Sequence, residues 1–307
     1  MNVYAVVDEG GWTLIDSGWA LAEARERLGA ALARLDAGFT DVHRFLVTHI
    51  HRDHYTQAIA LRREFGMRVA VGRGEQRSLK VINEPGPSGL LRGDVLHRAG
   101  AGDLLGKRTG PPPDHDPSVW EYPDDWIEDG AEIVLGDPQA PRRLRAVATP
   151  GHTEGHVVFA DEAGDLLFAG DHVLPTITPS IGLQPAAAHS PLTDFLTSLE
   201  LVRNRPDALL LPAHGAVGMR VHQRVDELLA HHAKRLDATL AAVAQGASTA
   251  YQVAGLLPWT RRDHRLADLD RFNAMLAITE TLAHLDVLVE RGLLTVTPVD
   301  GVAQFAA

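Results

Sequence analysis

The residues best suited to chemistry lie close together near position 50. His49, His51, Asp53 and His54 fall within six positions, directly after the apolar run 44–47. Such a run predicts a buried strand whose carboxyl end opens into a loop, which is where α/β proteins display functional side chains. Imidazole nitrogens and carboxylate oxygens are the ligands that zinc takes at about 2.0–2.2 Å. Because such groups repel one another and lose solvation when crowded, the pattern predicts a bound cation.

Three further blocks of similar residue types follow along the chain. They are Thr-Pro-Gly-His-Thr-Glu-Gly-His at 149–156, Ala-Gly-Asp-His at 169–172 and Leu-Pro-Ala-His-Gly at 211–215. Together with the His-x-His-x-Asp-His motif at 49–54, these blocks closely resemble those of the metallo-β-lactamase superfamily, over roughly the first three quarters of the chain. The resemblance implies an α/β fold, the four-layer αββα sandwich, and a hydrolase that uses two metal ions.

The resemblance also assigns the ligands position by position. It implies that one metal is held by His49, His51 and His152, that the second is held by Asp53, His54 and His214, and that Asp171 bridges the two. Two metals about 3.5–4 Å apart acidify a bridging water, and the resulting hydroxide attacks a carbonyl or phosphorus. Asp53 is expected to be the catalytic proton shuttle. Two divalent ions are therefore expected, with zinc as the default and iron or manganese as alternatives for such a donor set.

Three other polar residues near these motifs have open roles. Asp16 is either a partner of a ligand beneath the metals or a cap for the helix that follows it. His172, beside Asp171, is either an ordinary loop histidine or a group that contacts the substrate or orients the bridge. His156 is expected to start a strand or to support a ligand rather than to be one.

The chain is expected to have two domains. Residues 1–220 alternate strand and helix patterns, which predicts the catalytic sandwich, with strands at 3–7, 12–15, 67–71, 132–135, 144–148, 157–160, 165–169 and 208–211, and helices at 20–35, 58–65, 75–81 and 191–202. Residues 83–130 are rich in Pro, Gly and charge, and we interpret them as a lid insertion near the metal cleft. The length predicts a large and a small domain, each with its own core.

Residues 221–307 predict helices followed by a hairpin, which is a winged-helix-like arrangement. The long helix at 270–291 carries four acidic side chains against two basic ones, whereas a helix that reads a DNA groove needs basic side chains. The basic cluster 261–265 is expected to be a solvated turn. We therefore expect this domain to provide packing surface within the chain or in a homodimer, and nucleic acid is a disfavoured partner.

Composition limits the partners and the compartment that can be expected for the protein. The 307 residues carry a formal charge of -11, which disfavours a general polyanion binder, and they contain no cysteine, which excludes disulfides and thiolate metal sites. The first residues lack the basic start and apolar stretch of a signal peptide. These features predict a cytoplasmic protein that does not associate with a membrane.

The expected substrate is a small acyl compound, either an ester, a thioester or a lactone. Thioesters are preferred because the C-terminal domain resembles that of thioesterase-like relatives in the superfamily. An endoribonuclease-like phosphodiester hydrolase and a persulfide dioxygenase-type iron enzyme are the alternatives. A true β-lactamase is disfavoured because the dinuclear lactamase branches lack a bridging aspartate at the position of Asp171, and the full ligand set disfavours a binding module without catalysis.

Overall fold

A computed structural model describes residues 1–84, 93–105, 116–185, 190–259 and 263–307. Its strands form two five-stranded sheets. The first has the order β1 (Tyr4–Asp8), β2 (Gly11–Ile15), β3 (Val42–Val47), β4 (Arg68–Gly72) and β5 (Asp125–Ile127), parallel from β2 onward. The second contains β6 (Glu132–Leu135), β7 (Arg142–Ala148), β8 (Val157–Asp161), β9 (Leu166–Gly170) and β10 (Leu209–Pro212), in the order β10-β9-β8-β7-β6.

The two sheets face each other and each carries helices on its outer side. Strand β3 explains this layering, because its side chains alternate between two apolar environments. Phe45 and Val47 pack with the helices α1 (Ala22–Ala33), α2 (Arg52–Phe65) and α3 (Glu75–Asn83), whereas Leu46 packs against Phe159 and Phe168 of the second sheet. The predicted αββα sandwich is therefore confirmed.

The C-terminal part is helical, as predicted, and it ends in a hairpin. It contains α6 (Val221–Ala244), α7 (Ala250–Leu256), α8 (Arg271–Glu290), β11 (Thr295–Val299) and β12 (Val302–Ala306). The expectation of a separate core for this part is wrong. Leu228 and Ile278 share one continuous apolar cluster with Val158 of β8 and with Phe195 of α5 (Pro191–Arg203). The C-terminal helices are thus the outer layer that covers the second sheet.

The interpretation of 83–130 as a lid falls in part on residues 85–92 and 106–115, which lie outside the described residues. The remainder is ordered against the body of the fold. Helix α4 (Gly93–Arg98) packs on α8, where Arg98 donates hydrogen bonds of 2.8 and 2.6 Å to both carboxylate oxygens of Asp286. Strand β5 extends the first sheet, which the sequence pattern did not predict because only three residues pair.

Helix α8 is long and apolar. By length and composition it is the one helix in the described part of the chain that could cross a membrane, but 61% of that stretch is buried inside the fold. The core helix of a globular domain has the same composition. Of the basic cluster 261–265, the residues 261 and 262 lie outside the described ranges.

Candidate metal centre and active site

The predicted ligands lie at the carboxyl ends of four strands. His49 and His51 follow β3, His152 follows β7, Asp171 follows β9, and His214 follows β10. Because β7 and β9 are both antiparallel to β8, and β10 is parallel to β9, these three strands end at the same edge of the second sheet. That edge lies beside the end of β3, so the sandwich brings all the motifs together.

The second half of the first motif is helical rather than a loop. Helix α2 begins at Arg52, six residues before the start predicted from its apolar periodicity. Asp53 and His54 therefore lie in its first turn, where a carboxylate interacts favourably with the helix dipole. The prediction was wrong here because the polar ligands on this turn interrupt the apolar pattern on which a helix start is recognised.

His49, His51 and His152 form the first ligand group. One nitrogen of each ring lies within 4.8 Å of the others, and His49 Nε2 is 3.0 Å from His51 Nδ1. All three side chains are buried, and burial lowers the pKa of His51 to about 3 and also depresses the pKa values of the other two. The rings are therefore neutral and keep a lone pair for a metal.

Asp53, His54 and His214 form the second group. His214 Nε2 lies 3.2 Å from Asp53 Oδ2, and His54 Nε2 lies 3.7 Å from the same oxygen. The Asp53 and His214 side chains are 35% and 31% exposed, whereas His54 is fully buried. The second group is thus more accessible to solvent than the first.

Asp171 lies between the two groups. Its Oδ2 is 3.5 Å from His152 Nε2, and its Oδ1 is 3.6 Å from His54 Nε2 and 3.5 Å from His214 Nε2. Although burial opposes ionisation, the nearby charge of His54 in the metal-free protein holds the pKa of Asp171 well below its usual range. Each oxygen of this carboxylate therefore faces a different ligand group, as a bridging ligand requires.

Unpaired atoms test whether the site fits metal ions. His54 Nε2, His152 Nε2 and Asp171 Oδ1 are buried and have no hydrogen-bond partner. The other ring nitrogen of each of these histidines is paired, so the unpaired atoms are the ones that point at the neighbouring groups. A buried polar atom without a partner costs about 1–3 kcal/mol. Divalent cations at these positions would satisfy all three atoms.

The outer nitrogens are held by a second set of acceptors. Asp16 Oδ2 accepts from His54 Nδ1 at 3.0 Å, and its other oxygen accepts from the Thr48 backbone N–H at 2.8 Å. The Ser180 and Leu183 carbonyls accept from His152 Nδ1 at 2.8 Å and His51 Nε2 at 3.1 Å. These bonds fix which nitrogen of each ring is free. Asp16 is therefore a ligand partner, and the alternative of a helix cap is wrong, because α1 starts at Ala22 without a side-chain cap.

The two neighbouring histidines are both buried. His156 is confirmed as a supporting residue, since its Nε2 accepts from the backbone N–H of Asp171 at 3.2 Å while Nδ1 pairs with the Thr149 hydroxyl at 2.8 Å. His172 packs edge-on against Phe195, with ring centres 5.2 Å apart, and burial lowers its pKa to about 3. His172 therefore lies in the turn after β9 with its ring buried toward the helices, which agrees with an ordinary loop histidine and not with a contact to the substrate or the bridge.

Sequence reasoning missed Glu75, at the start of α3. Its side chain is fully buried, and Oε1 accepts from the Thr153 hydroxyl at 2.5 Å and from the Ile50 N–H at 3.4 Å. Burial raises its pKa to about 7. One carboxyl group thus joins the turn that carries His49 and His51 to the turn that carries His152. Glu75 lies in no recognisable motif, so only the fold reveals this bridge.

The metallo-beta-lactamase superfamily model matches residues 2–214, and the chain belongs to that family. With the ligand groups described above, it is a metal-dependent hydrolase of the metallo-β-lactamase fold, and the fold and its His/Asp cluster imply divalent metal ions.

Known proteins resemble this chain over different shares of its length. The crystal structure of a metallo-beta-lactamase family protein from Thermus thermophilus superposes with a TM-score of 0.77 at 28% identity, over 99% of this chain and 93% of that one, so the C-terminal helices belong to the shared architecture. A beta-lactamase-like protein 2 homolog from Caenorhabditis elegans is 30% identical over 110 residues, 36% of this chain and 33% of that protein. An atrochrysone carboxyl ACP thioesterase from Aspergillus fumigatus is 33% identical over 94 residues, 31% of this chain and 20% of that protein. The chain thus spans a third or less of these two curated relatives.

Proposed function

We propose that the protein is a dinuclear hydrolase that cleaves an acyl thioester to a carboxylate and a thiol. The observation that carries the dinuclear proposal is the position of Asp171. Its two oxygens lie at 3.5–3.6 Å from nitrogens of both ligand groups, which supports a carboxylate shared by two ions. Zinc is the proposed metal, because nitrogen-rich sites with a few carboxylates suit it.

The residues of the chain would share the work as follows. Bound metals would acidify a water molecule and polarise the substrate carbonyl. Asp53 would hold the proton that the water loses, and the partial exposure of its carboxylate, on the open side of the ligand groups, supports this role. Burial opposes the ionisation of Asp53, but the hydrogen bond from His214 and the charge of His54 lower its pKa, so the carboxylate is ionised in the metal-free protein. When the carbon–sulfur bond breaks, Asp53 returns that proton to the departing sulfur.

Two observations favour a small acyl substrate over nucleic acid. One curated relative carries the name of an acyl carrier protein thioesterase, which supports a thioester substrate by analogy. In addition, more than half of the 20 residues of α8 are buried, and its acidic side chains Asp286 and Glu290 bond to Arg98 and Thr193. A helix packed in this way is not free to enter a nucleic-acid groove.

The test is thiol release from a panel of acyl-coenzyme A, acyl-pantetheine and acyl-glutathione compounds by zinc-loaded protein. Asp53→Asn is the matched variant, because the amide keeps the size of the side chain but cannot hold the proton. We expect turnover in the wild type and a loss of about 100-fold or more in the variant. Metal content is measured on both proteins.

Other results would redirect the proposal. A protein that binds two metals but releases no thiol from any member of the panel would refute the thioester substrate, and ester and lactone panels would follow. Salt-sensitive RNA cleavage would favour the endoribonuclease alternative. Oxygen uptake by iron-loaded protein with a persulfide would favour the dioxygenase alternative.

A further inference from the structure

A short segment lies between the ligand groups and the C-terminal helices. We name residues 174–183, from Leu174 to Leu183, the carbonyl loop. Its Ser180 and Leu183 carbonyls accept the hydrogen bonds from the outer nitrogens of His152 and His51. Two of the three rings of the first ligand group are therefore oriented by the backbone of one loop.

Helix α8 supports the far end of this loop. Gly182 has a φ of +91°, and a Cβ at that position would lie 3.4 Å from both the Cβ and the carbonyl oxygen of Thr279. Ile181 is fully buried in the same apolar cluster as Ile278 of α8. The loop therefore lies directly on the backbone of α8, and a displacement of residue 279 would move the two carbonyls.

Helix α6 supports the start of the loop. Arg224 donates from Nε to the Leu174 carbonyl at 2.5 Å and from Nη2 to the Ile177 carbonyl at 3.0 Å. Its side chain is only 12% exposed, and the bond to Leu174 is partly buried, whereas the bond to Ile177 lies at the surface. The carbonyl loop is thus held at one end by a charged side chain of α6 and at the other by packing on α8.

We propose that the C-terminal helices set the metal affinity of the first ligand group through the carbonyl loop, with Thr279, Gly182 and Arg224 as positioning residues. The inference rests on the proposed dinuclear site. A carbonyl that accepts from one nitrogen of an imidazole fixes both the ring rotation and the nitrogen that faces the metal. The C-terminal helices are then a structural part of the metal centre and more than a covering layer.

The experiment compares zinc binding to metal-free wild type and Thr279→Leu protein, by competition with a chelating dye. The larger side chain pushes on Gly182, and we expect one of the two metals to bind about 10–100-fold more weakly. Thr279→Val is the shape-matched control. Thr281→Leu is the positional control, because Thr281 is equally buried on α8 and bonds within the helix in the same way, but residues two apart point in different directions. Both controls should bind zinc like the wild type.

His152→Ala and His214→Ala identify the affected site, because each removes one ligand group. Thr279→Leu should resemble His152→Ala, with one tight metal retained. Wild-type affinity for both metals in a folded Thr279→Leu protein would overturn the inference. If that variant does not fold, Gly182→Ala decides in its place. A wild type that binds fewer than two metals would instead refute the dinuclear site itself, so the two failures are distinguishable.

Discussion

Replacing Asp16 by Asn should weaken the binding of one metal without unfolding the protein. Asp16 is buried, and its two oxygens accept from the Thr48 N–H at 2.8 Å and from His54 Nδ1 at 3.0 Å. An asparagine has only one oxygen to offer. If the oxygen stays with Thr48, the amide N–H₂ faces His54 Nδ1, so the imidazole proton must move to Nε2, the atom that faces Asp171 at 3.6 Å. If the amide group is flipped instead, its N–H₂ faces the Thr48 backbone N–H, and two donors oppose each other there.

The magnitude follows from these contacts. With the proton on Nε2 the metal-free fold keeps its contacts, but a metal that must take this nitrogen loses about 1–3 kcal/mol, which corresponds to about 10–100-fold in affinity for the second metal. The fold should tolerate the change, because Asp16 has a φ of 60° and Asn adopts this left-handed conformation nearly as readily as Asp. Asp16→Ala should be worse in stability as well, since it leaves Thr48 and His54 unpaired in the interior and strains the backbone.

The assay is zinc binding by dye competition together with thermal unfolding of the metal-free proteins. The expected order is a near wild-type melting temperature for Asp16→Asn, a decrease for Asp16→Ala, and a weakened second metal in both. Two metals bound to Asp16→Asn with wild-type affinity would refute the reasoning, because His54 would then keep its free Nε2 without the carboxylate.

Three further outcomes are expected. Chelation should abolish turnover and lower the free energy of unfolding. The decrease should be about 4 kcal/mol for each ion present at a thousandfold excess over its dissociation constant. Calorimetry that shows no change in unfolding when zinc is added would contradict this. Glu75→Ala should weaken zinc binding and lower the free energy of unfolding by about 1–3 kcal/mol, because the Ile50 N–H and the Thr153 hydroxyl lose their acceptor. Glu75→Gln keeps an oxygen at that position and should bind zinc normally. Equal behaviour of the two variants would exclude the bridge. Burial lowers the pKa of His284 to about 4, below the unfolded value of about 6.5. The unfolded state therefore binds the proton more tightly, so the free energy of unfolding should fall as the pH drops from about 6.5 to about 4, by about 3 kcal/mol at most. Urea unfolding of metal-free protein between pH 8 and pH 4 should show this decrease in the wild type and a smaller one in His284→Phe, and parallel curves would contradict it.

The sequence predicted the site better than it predicted the boundaries of the elements around it. The four motifs follow strands, and strand ends can be recognised as apolar runs that stop at polar residues, so a functional edge of the fold could be anticipated; the sandwich and the grouping of the ligands followed from the resemblance to the superfamily. The start of α2 was missed because the predicted ligands His51, Asp53 and His54 occupy the positions at which an N-cap residue and an apolar stripe would normally indicate the start of a helix. At these positions the residues that could bind a metal replace those that usually mark a helix start.

The sequence by itself determined the family, the layered fold, and which residue types converge on the metals, because these depend on local patterns and on motifs that stand in a fixed order. Only the tertiary structure decided what supports them. Asp16, Glu75 and the carbonyls of Ser180 and Leu183 reach the ligands through contacts between residues distant in the chain, and a backbone carbonyl has no signature in a sequence. The shared core of α8 and the second sheet also arises from packing between separate elements, so no pattern within the C-terminal residues could show that these helices support the metal centre.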